Sequence, residues 1–166
     1  LLAAVATGQV RIVDLTFTLS PEFPALVLPP ELGQCQPFRM EEVSRYDPRG
    51  PAWYWNNISM SEHCGTHYDA PIHWITDWSK RDFKDYANLR EDGAHTPGPS
   101  PEVMKFLVDE RMVLGFGTET IGTDAGQAHH FAPPYPAHHF LHGAGRYGLQ
   151  CLRNLDQLPA KGAVLI

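Results

Sequence analysis

The chain has 166 residues, 43% hydrophobic, with 14 Gly, 15 Pro and a formal net charge of -6, which suits one core in a single domain over 1–166, loop-rich and mixed α/β rather than a helical bundle. No Lys/Arg run offsets the acidic balance, which argues against a nucleic-acid or anionic-membrane surface and for a small-molecule site. Three scattered cysteines, Cys35, Cys64 and Cys151, make no disulfide framework or zinc-finger spacing, and no apolar run approaches the ~20 residues of a membrane span, so a cytoplasmic protein is expected.

Leu1 to Val5 is too short for a signal peptide, and both ends read as trimmed. Arg11 to Thr18 has β character and predicts a strand ended by Ser20-Pro21. Pro21 to Pro37 carries five prolines and reads as a rigid loop exposing Phe23, Leu26, Val27 and Leu28. Phe38 to Tyr46 suits an edge strand or a short helix, Asp47 to Pro51 a turn, and Trp53 to Met60 an alternating strand. Trp53 and Trp55 either wall an aromatic substrate pocket or pack as ordinary core aromatics.

The next stretch carries the chemistry. Ser61 to Trp74 reads S-E-H-C-G-T-H-Y-D-A-P-I-H-W, and His63, His67, Asp69 and His73 share one parity, so on an extended backbone they face one side. Fully extended, His63 and His67 would lie about 13 Å apart, too far for two short metal bonds. A bend is required, and Gly65 is the residue best able to supply it, with Pro71 setting a second that turns His73 inward. Two imidazoles and a carboxylate suit Zn²⁺, Mn²⁺ or Fe²⁺. His73 is placed to serve as general base on a water held by the ion. Cys64, of opposite parity, reads as a buried filler.

The run from His63 to His73 matches H-x-G-T-H-x-D-x-P-x-H and resembles the signature of the cyclase family, which includes metal-dependent kynurenine formamidases and isatin hydrolases. The resemblance implies a mixed, β-rich, barrel-like swivelling β/β/α architecture and a homo-oligomer. It also implies that Asp14-Leu15-Thr16 lies on the opening strand. Kynurenine formamidases bring a tryptophan to the substrate from the loop that here carries Leu26-Val27-Leu28, so Leu28 becomes a substrate-contact candidate. Relatives separate the P-x-H motif from a segment like Thr76-Asp77-Trp78-Ser79-Lys80-Arg81 by further strands and a helix, which points to an additional segment between Ile75 and Thr76.

Farther on, Asp82 to Arg90 reads as a short helix or loop, and His95 as a loop residue near the pocket or in a turn. Ser100, Pro101 and Glu102 mark a helix start, with Val103, Phe106 and Leu107 as its apolar stripe, Met104 bordering it, and an end near Glu110. Met112 to Gly117 predicts a buried strand. The following Thr118 to Gly126 loop resembles one that relatives place beside the active site, which makes Asp124 either a residue supporting the metal ligands or a turn residue. His129 and His130 read as loop residues, and Gly162 to Ile166 as the start of a strand.

Ala137 to Leu152 resembles the family segment that supplies a second metal pair, a His and a Glu twelve residues apart. The corresponding residues here are His138 and Gln150. A neutral amide holds a second dication weakly, so one tightly bound Zn or Mn is expected, with His138 and Gln150 as further metal contacts and His139 and His142 as packing residues. The predicted function is metal-dependent hydrolysis of a carbonyl C-N bond in an aryl formamide or cyclic amide, the substrate being a small aromatic molecule. Two alternatives use the same residues: a non-haem Fe(II) oxygenase built on His67, Asp69 and His138 with Arg146, and a non-catalytic metal-binding protein.

Overall fold

The computed structural model describes residues 2–28, 30–31, 33–73 and 96–166. Asp82 to Arg90, His95 and the Ile75–Thr76 junction lie outside them. Helix α1 is Leu2–Ala6. Strands β1 (Arg39–Asp47) and β2 (Gly50–Ser59) form an antiparallel hairpin whose register runs from Arg39 opposite Ser59 to Asp47 opposite Gly50, with bulges after Glu42 and Arg45. The predicted edge strand and alternating strand are therefore partners.

A second sheet positions the site. Strands β3 (His67–Asp69), β4 (Gly115–Gly117) and β5 (Tyr147–Gln150) are ordered β3-β5-β4, with β5 antiparallel to β3 and parallel to β4. Both sheets are open among the described residues, so the observed class is mixed α/β. The β5 strand was not anticipated: Tyr147-Gly148-Leu149-Gln150 is short, interrupted by glycine, and gains its ladder only from β3 and β4. The predicted Met112 to Gly117 strand is realised in its last three residues.

Helix α2 (Pro101–Lys105) starts as expected, with Ser100 accepting from the Val103 N–H and Pro101 in the first turn. It continues as a π-helical turn over Phe106–Glu110. Its buried face corrects the predicted stripe: Met104 and Val108, one turn apart, are buried, whereas Val103 and Phe106 remain 49% and 38% exposed. Met104 and Val108 pack with Ala137 and Leu141 of a second π-helical turn, Ala137–His142, flanked by Leu107, Val113, Phe116 and Phe140. Truncating Leu141 to Ala would cost about 2–5 kcal/mol, the range for emptying a closed core site. Arg146 fastens the end of the α2 unit by donating to the Val108 and Val113 carbonyls at 2.8 and 2.7 Å, which satisfies groups that a helix terminus leaves open.

Two sequence expectations are corrected. Arg11 to Thr18 forms no strand, because its polar groups find partners other than a ladder. Thr66 Oγ1 accepts from the Phe17 N–H at 2.9 Å, the Leu15 carbonyl accepts from the Arg153 N–H at 3.1 Å, and Asn154 Nδ2 donates to the Asp14 carbonyl at 2.8 Å. Gly162 to Ile166 likewise forms no strand and is exposed.

Candidate active site

The bend required between His63 and His67 occurs where glycine permits it. Gly65 has φ +75°, and a Cβ there would come within 2.6 Å of Leu19, so a side chain would suffer both strain and a clash. The turn also holds the Cys64 N–H on the Ser61 carbonyl at 3.1 Å. Thr66, next in sequence, ties the turn down by donating from Oγ1 to the Cys151 carbonyl just beyond β5. Cys64 itself is buried and unpaired.

The result is a convergence of three donor atoms. His63 Nδ1 lies 3.2 Å from His67 Nε2 and 3.3 Å from Asp69 Oδ1, and His67 Nε2 lies 3.4 Å from Asp69 Oδ1. Tetrahedral bonds of about 2.0–2.1 Å place ligand atoms about 3.3–3.4 Å apart, so the three atoms outline one face of such a polyhedron. The His67 ring is oriented by its other nitrogen: Nδ1 donates to the Gly65 carbonyl at 2.8 Å, which turns the Nε2 lone pair inward. Asp69 is 1% exposed, and its Oδ1 has no hydrogen-bond partner among the described residues. A buried carboxylate oxygen facing two imidazole nitrogens is chemically matched to a divalent cation.

The other oxygen of Asp69 is held by β5. Pairing of β3 with β5 sets His67 opposite Gln150 and Asp69 opposite Gly148, and Gln150 Nε2 donates to Asp69 Oδ2. Gln150 is buried. The amide thereby assigns the two carboxylate oxygens different tasks, Oδ2 to the protein and Oδ1 to the convergence point.

The Pro71–His73 3-10 turn brings His73 back over the motif, its ring centroid 4.3 Å from that of His63 and 5.9 Å from that of His138. His138 Nδ1 donates to Asp124 Oδ2 at 2.5 Å, and Asp124 also accepts from the Ala137 and His138 backbone N–H groups at 2.6 and 3.1 Å. Buried Asp124 thus fixes the tautomer of His138 and leaves Nε2, 4.0 Å from Asp69 Oδ2, as the inward nitrogen. Asp69, His73 and His138 form a second set of mutually close potential ligands sharing Asp69 with the first. His67, Asp69 and His138 do not converge as a set of their own among the described residues, which removes the geometric basis of the oxygenase triad. Arg146, part of that same alternative, is committed to the Val108 and Val113 carbonyls.

Charge follows the geometry. Burial disfavours the Asp69 carboxylate, yet the adjacent His63 and His67 imidazoles hold its pKa well below the usual range. Burial also opposes a charged His67, but Asp69, Cys151 and the Gly65 carbonyl outweigh it and push its pKa up to about 10. His73 keeps an exposed edge, but the part of its ring that faces the cleft loses water, and this, aided by the His63, His138 and His142 rings and against the pull of Asp69, lowers the pKa to about 4.

These groups floor a cavity of about 280 Å³ walled by Leu26, Leu28, Cys35, Ile121 and Tyr135. Leu28 therefore reaches the site. Trp53 and Trp55 do not: they stand on β2 at 52% and 51% exposure and are absent from the cavity wall. His142 is fully buried behind His138, with Nδ1 donating to the Arg146 carbonyl at 2.9 Å, and His139 packs edge-on against Phe140, so both are packing residues as expected. Sequence reasoning missed Cys35, Ile121 and Tyr135 as wall residues; the Pro133-Pro134-Tyr135-Pro136 run was the available signal for Tyr135, since an aromatic held among prolines is presented rigidly.

The chain matches the Cyclase family model over residues 13–88 and 75–125. It is 34% identical over 230 aligned positions to isatin hydrolase of Roseibium aggregatum, an alignment that covers 99% of this chain and 87% of that protein.

The chain belongs to the cyclase family.

Isatin hydrolase A from Labrenzia aggregata, solved with benzyl benzoate, superposes with TM-score 0.84 at 50% identity, covering 97% of this chain and 88% of that one. Isatin hydrolase A from Ralstonia solanacearum gives 0.85 at 44% identity over 97% and 86%. With the convergent His/Asp donors, these relationships make the cyclase-family chain a metal-dependent hydrolase.

Proposed function

We propose that the protein opens a cyclic aromatic amide of the isatin type by hydrolysis of its C(=O)–N bond. The observation that carries this is the convergence of His63 Nδ1, His67 Nε2 and Asp69 Oδ1 beneath an apolar cavity of single-ring to two-ring size, in a chain whose relatives are isatin hydrolases. Those three residues hold one divalent ion, Zn or Mn, which when bound supplies Lewis acidity toward the carbonyl and toward water. His73 takes a water proton on an imidazole nitrogen and passes it to the leaving nitrogen as the C-N bond breaks, giving a carboxylate and an aryl amine. A pKa near 4 keeps His73 neutral and able to accept at neutral pH.

Gln150, hydrogen-bonded to Asp69, and His138, oriented by Asp124, stand where a second ion would bind; the neutral amide makes that site weak. Leu28 contacts the substrate from the loop side. The barrel-like swivelling β/β/α arrangement belongs to the same proposal; the superpositions support the mixed α/β fold on which it is built. An alignment of 230 positions for a 166-residue chain, and a family model matched in two segments that overlap at 75–88, support a further segment in relatives between Ile75 and Thr76.

A homo-oligomer is also proposed, because the β1–β2 hairpin exposes Met40, Trp53, Tyr54, Trp55 and Ile58, and an isolated two-stranded ribbon is marginal in water. No helix of the described residues is long and apolar enough to cross a membrane. Three unpaired cysteines fit a reducing, cytoplasmic setting.

The test is turnover by protein loaded with Mn²⁺ or Zn²⁺. Opening of isatin, with slower or no turnover of N-formylkynurenine and no oxoacid-dependent oxygen uptake with Fe²⁺, is the expected result. Turnover of neither amide would remove the assignment.

A further inference from the structure

Residues 128–135 form a loop closed at its base by its own backbone. The Tyr135 N–H donates to the Ala128 carbonyl at 3.0 Å, and the Tyr135 carbonyl accepts from the His139 N–H at 2.7 Å. Between these two bonds the Tyr135 backbone sits at φ 51°, a left-handed conformation disfavoured for any residue with a bulky side chain. Such a conformation persists only where its surroundings impose it, and it gathers at ligand clamps.

The side chain so directed lines the cavity on the His138 side, the two ring centroids 6.5 Å apart and the planes at 79°. The neighbouring apolar wall is aliphatic or thiol, from Leu26, Leu28, Cys35 and Ile121, so Tyr135 brings the one six-membered aromatic ring among the described lining residues. An aliphatic wall accepts a ligand of suitable volume whatever its shape. A ring anchored through two backbone bonds adds a preference for a flat aromatic partner, through its quadrupole and its fixed orientation.

We propose that Tyr135 is a specificity-determining residue whose ring is an aromatic wall of the substrate site, selecting lactams fused to an aromatic ring over saturated lactams of similar size. This rests on the lactam-hydrolase reading above and names the part of the site that makes the substrate aromatic.

Tyr135→Gly removes the ring and suits the left-handed backbone, so the loop keeps its conformation; Tyr135→Phe keeps the ring. Calorimetric titration of the metal-free protein with indole, an unreactive flat probe, reads the wall without chemistry. The expected result is an indole Kd about tenfold higher in Tyr135→Gly and within about twofold of wild type in Tyr135→Phe. In the metal-loaded enzyme KM for isatin rises by a similar factor, kcat changes less than about threefold, and metal content is unchanged. The proposal is overturned if Tyr135→Gly binds indole within about twofold of wild type, if both variants lose affinity alike, or if wild type binds no indole. A wild type that binds indole through Tyr135 but leaves isatin intact would remove the proposed substrate and keep the aromatic wall; isatin turnover with indole affinity indifferent to Tyr135 would do the reverse.

Discussion

The β1–β2 hairpin and the β3–β5 cradle invert the usual relation between ladder length and burial. The hairpin pairs seven positions in one antiparallel ladder, yet of its nineteen residues, nine in β1 and ten in β2, only Ser44 and Gly50 are buried. The cradle is built from strands of three and four residues, and it buries Asp69, Gln150 and Asp124. Local hydrogen bonding makes a ribbon, but water leaves a region only when other segments close over it. In the cradle those segments are the Thr66 link to Cys151, the Gln150 amide on Asp69 and the Ala137–His142 turn anchored on Asp124. Among the described residues the hairpin has no such cover.

The comparison breaks most visibly at Asp69. Asp69→Ala removes the carboxylate on which both imidazoles and the Gln150 amide converge, and is expected to reduce bound metal below a tenth of wild type and isatin turnover by about a thousandfold or more; elemental analysis and spectrophotometric assay check both. Retained metal would mean that the cradle is not the binding site. His73→Ala is next: activity should fall by about 10²–10⁴ while metal content stays at the wild-type level, because in the proposed mechanism the residue moves a proton and leaves the ion to His63, His67 and Asp69. Loss of metal together with activity would require His73 to be reassigned as a ligand.

Gln150→Glu tests the division of labour between the Asp69 oxygens. A second carboxylate beside Oδ2 should raise the number of tightly bound divalent ions from one toward two in a metal titration, with second-site affinity at least about tenfold higher. Unchanged stoichiometry would remove the amide as the cause of a weak second site. On the ribbon, Trp53→Lys with Trp55→Lys should shift the protein to a smaller species in sedimentation analysis while metal content remains the same. An unchanged mass would leave those rings without a partner.

The smallest effect is on pH. His73 has a pKa lowered from about 6.5 to about 4, so the unfolded chain binds more protons than the folded one between those values. The metal-free protein therefore loses stability as pH falls from about 6.5 toward about 4, and a His73→Ala variant should show less of that loss. Titration of the His73 ring by NMR in the metal-free protein should place its midpoint near 4; a midpoint at or above 6.5 would contradict the desolvated setting.

Much of the cradle was legible in the sequence. Shared parity of His63, His67, Asp69 and His73 required a bend, and Gly65 at φ +75° supplies it. Ser100 and Pro101 announced α2. The Arg11 to Thr18 strand failed as a prediction because β propensity describes a residue's fit to a sheet, whereas here a threonine hydroxyl and two loops took the backbone groups. The stripe on α2 was misplaced because Val103 and Met104 are adjacent apolar positions, and only the Ala137–His142 turn that packs on Met104 and Val108 decides which of them faces inward.

The sequence by itself determined which side chains are offered as ligands: two imidazoles and a carboxylate within seven residues, with a glycine where the backbone must reverse, is a local arrangement that local sterics enforce. Tertiary structure alone decided what surrounds them. Gln150 meets Asp69 across 81 positions through the β3–β5 register, Tyr135 turns into the cavity on a loop closed by its own backbone, and Trp53 and Trp55 face solvent. Each outcome depends on which distant segments exclude water together, and that is set by long-range packing, which no periodicity within a short stretch records.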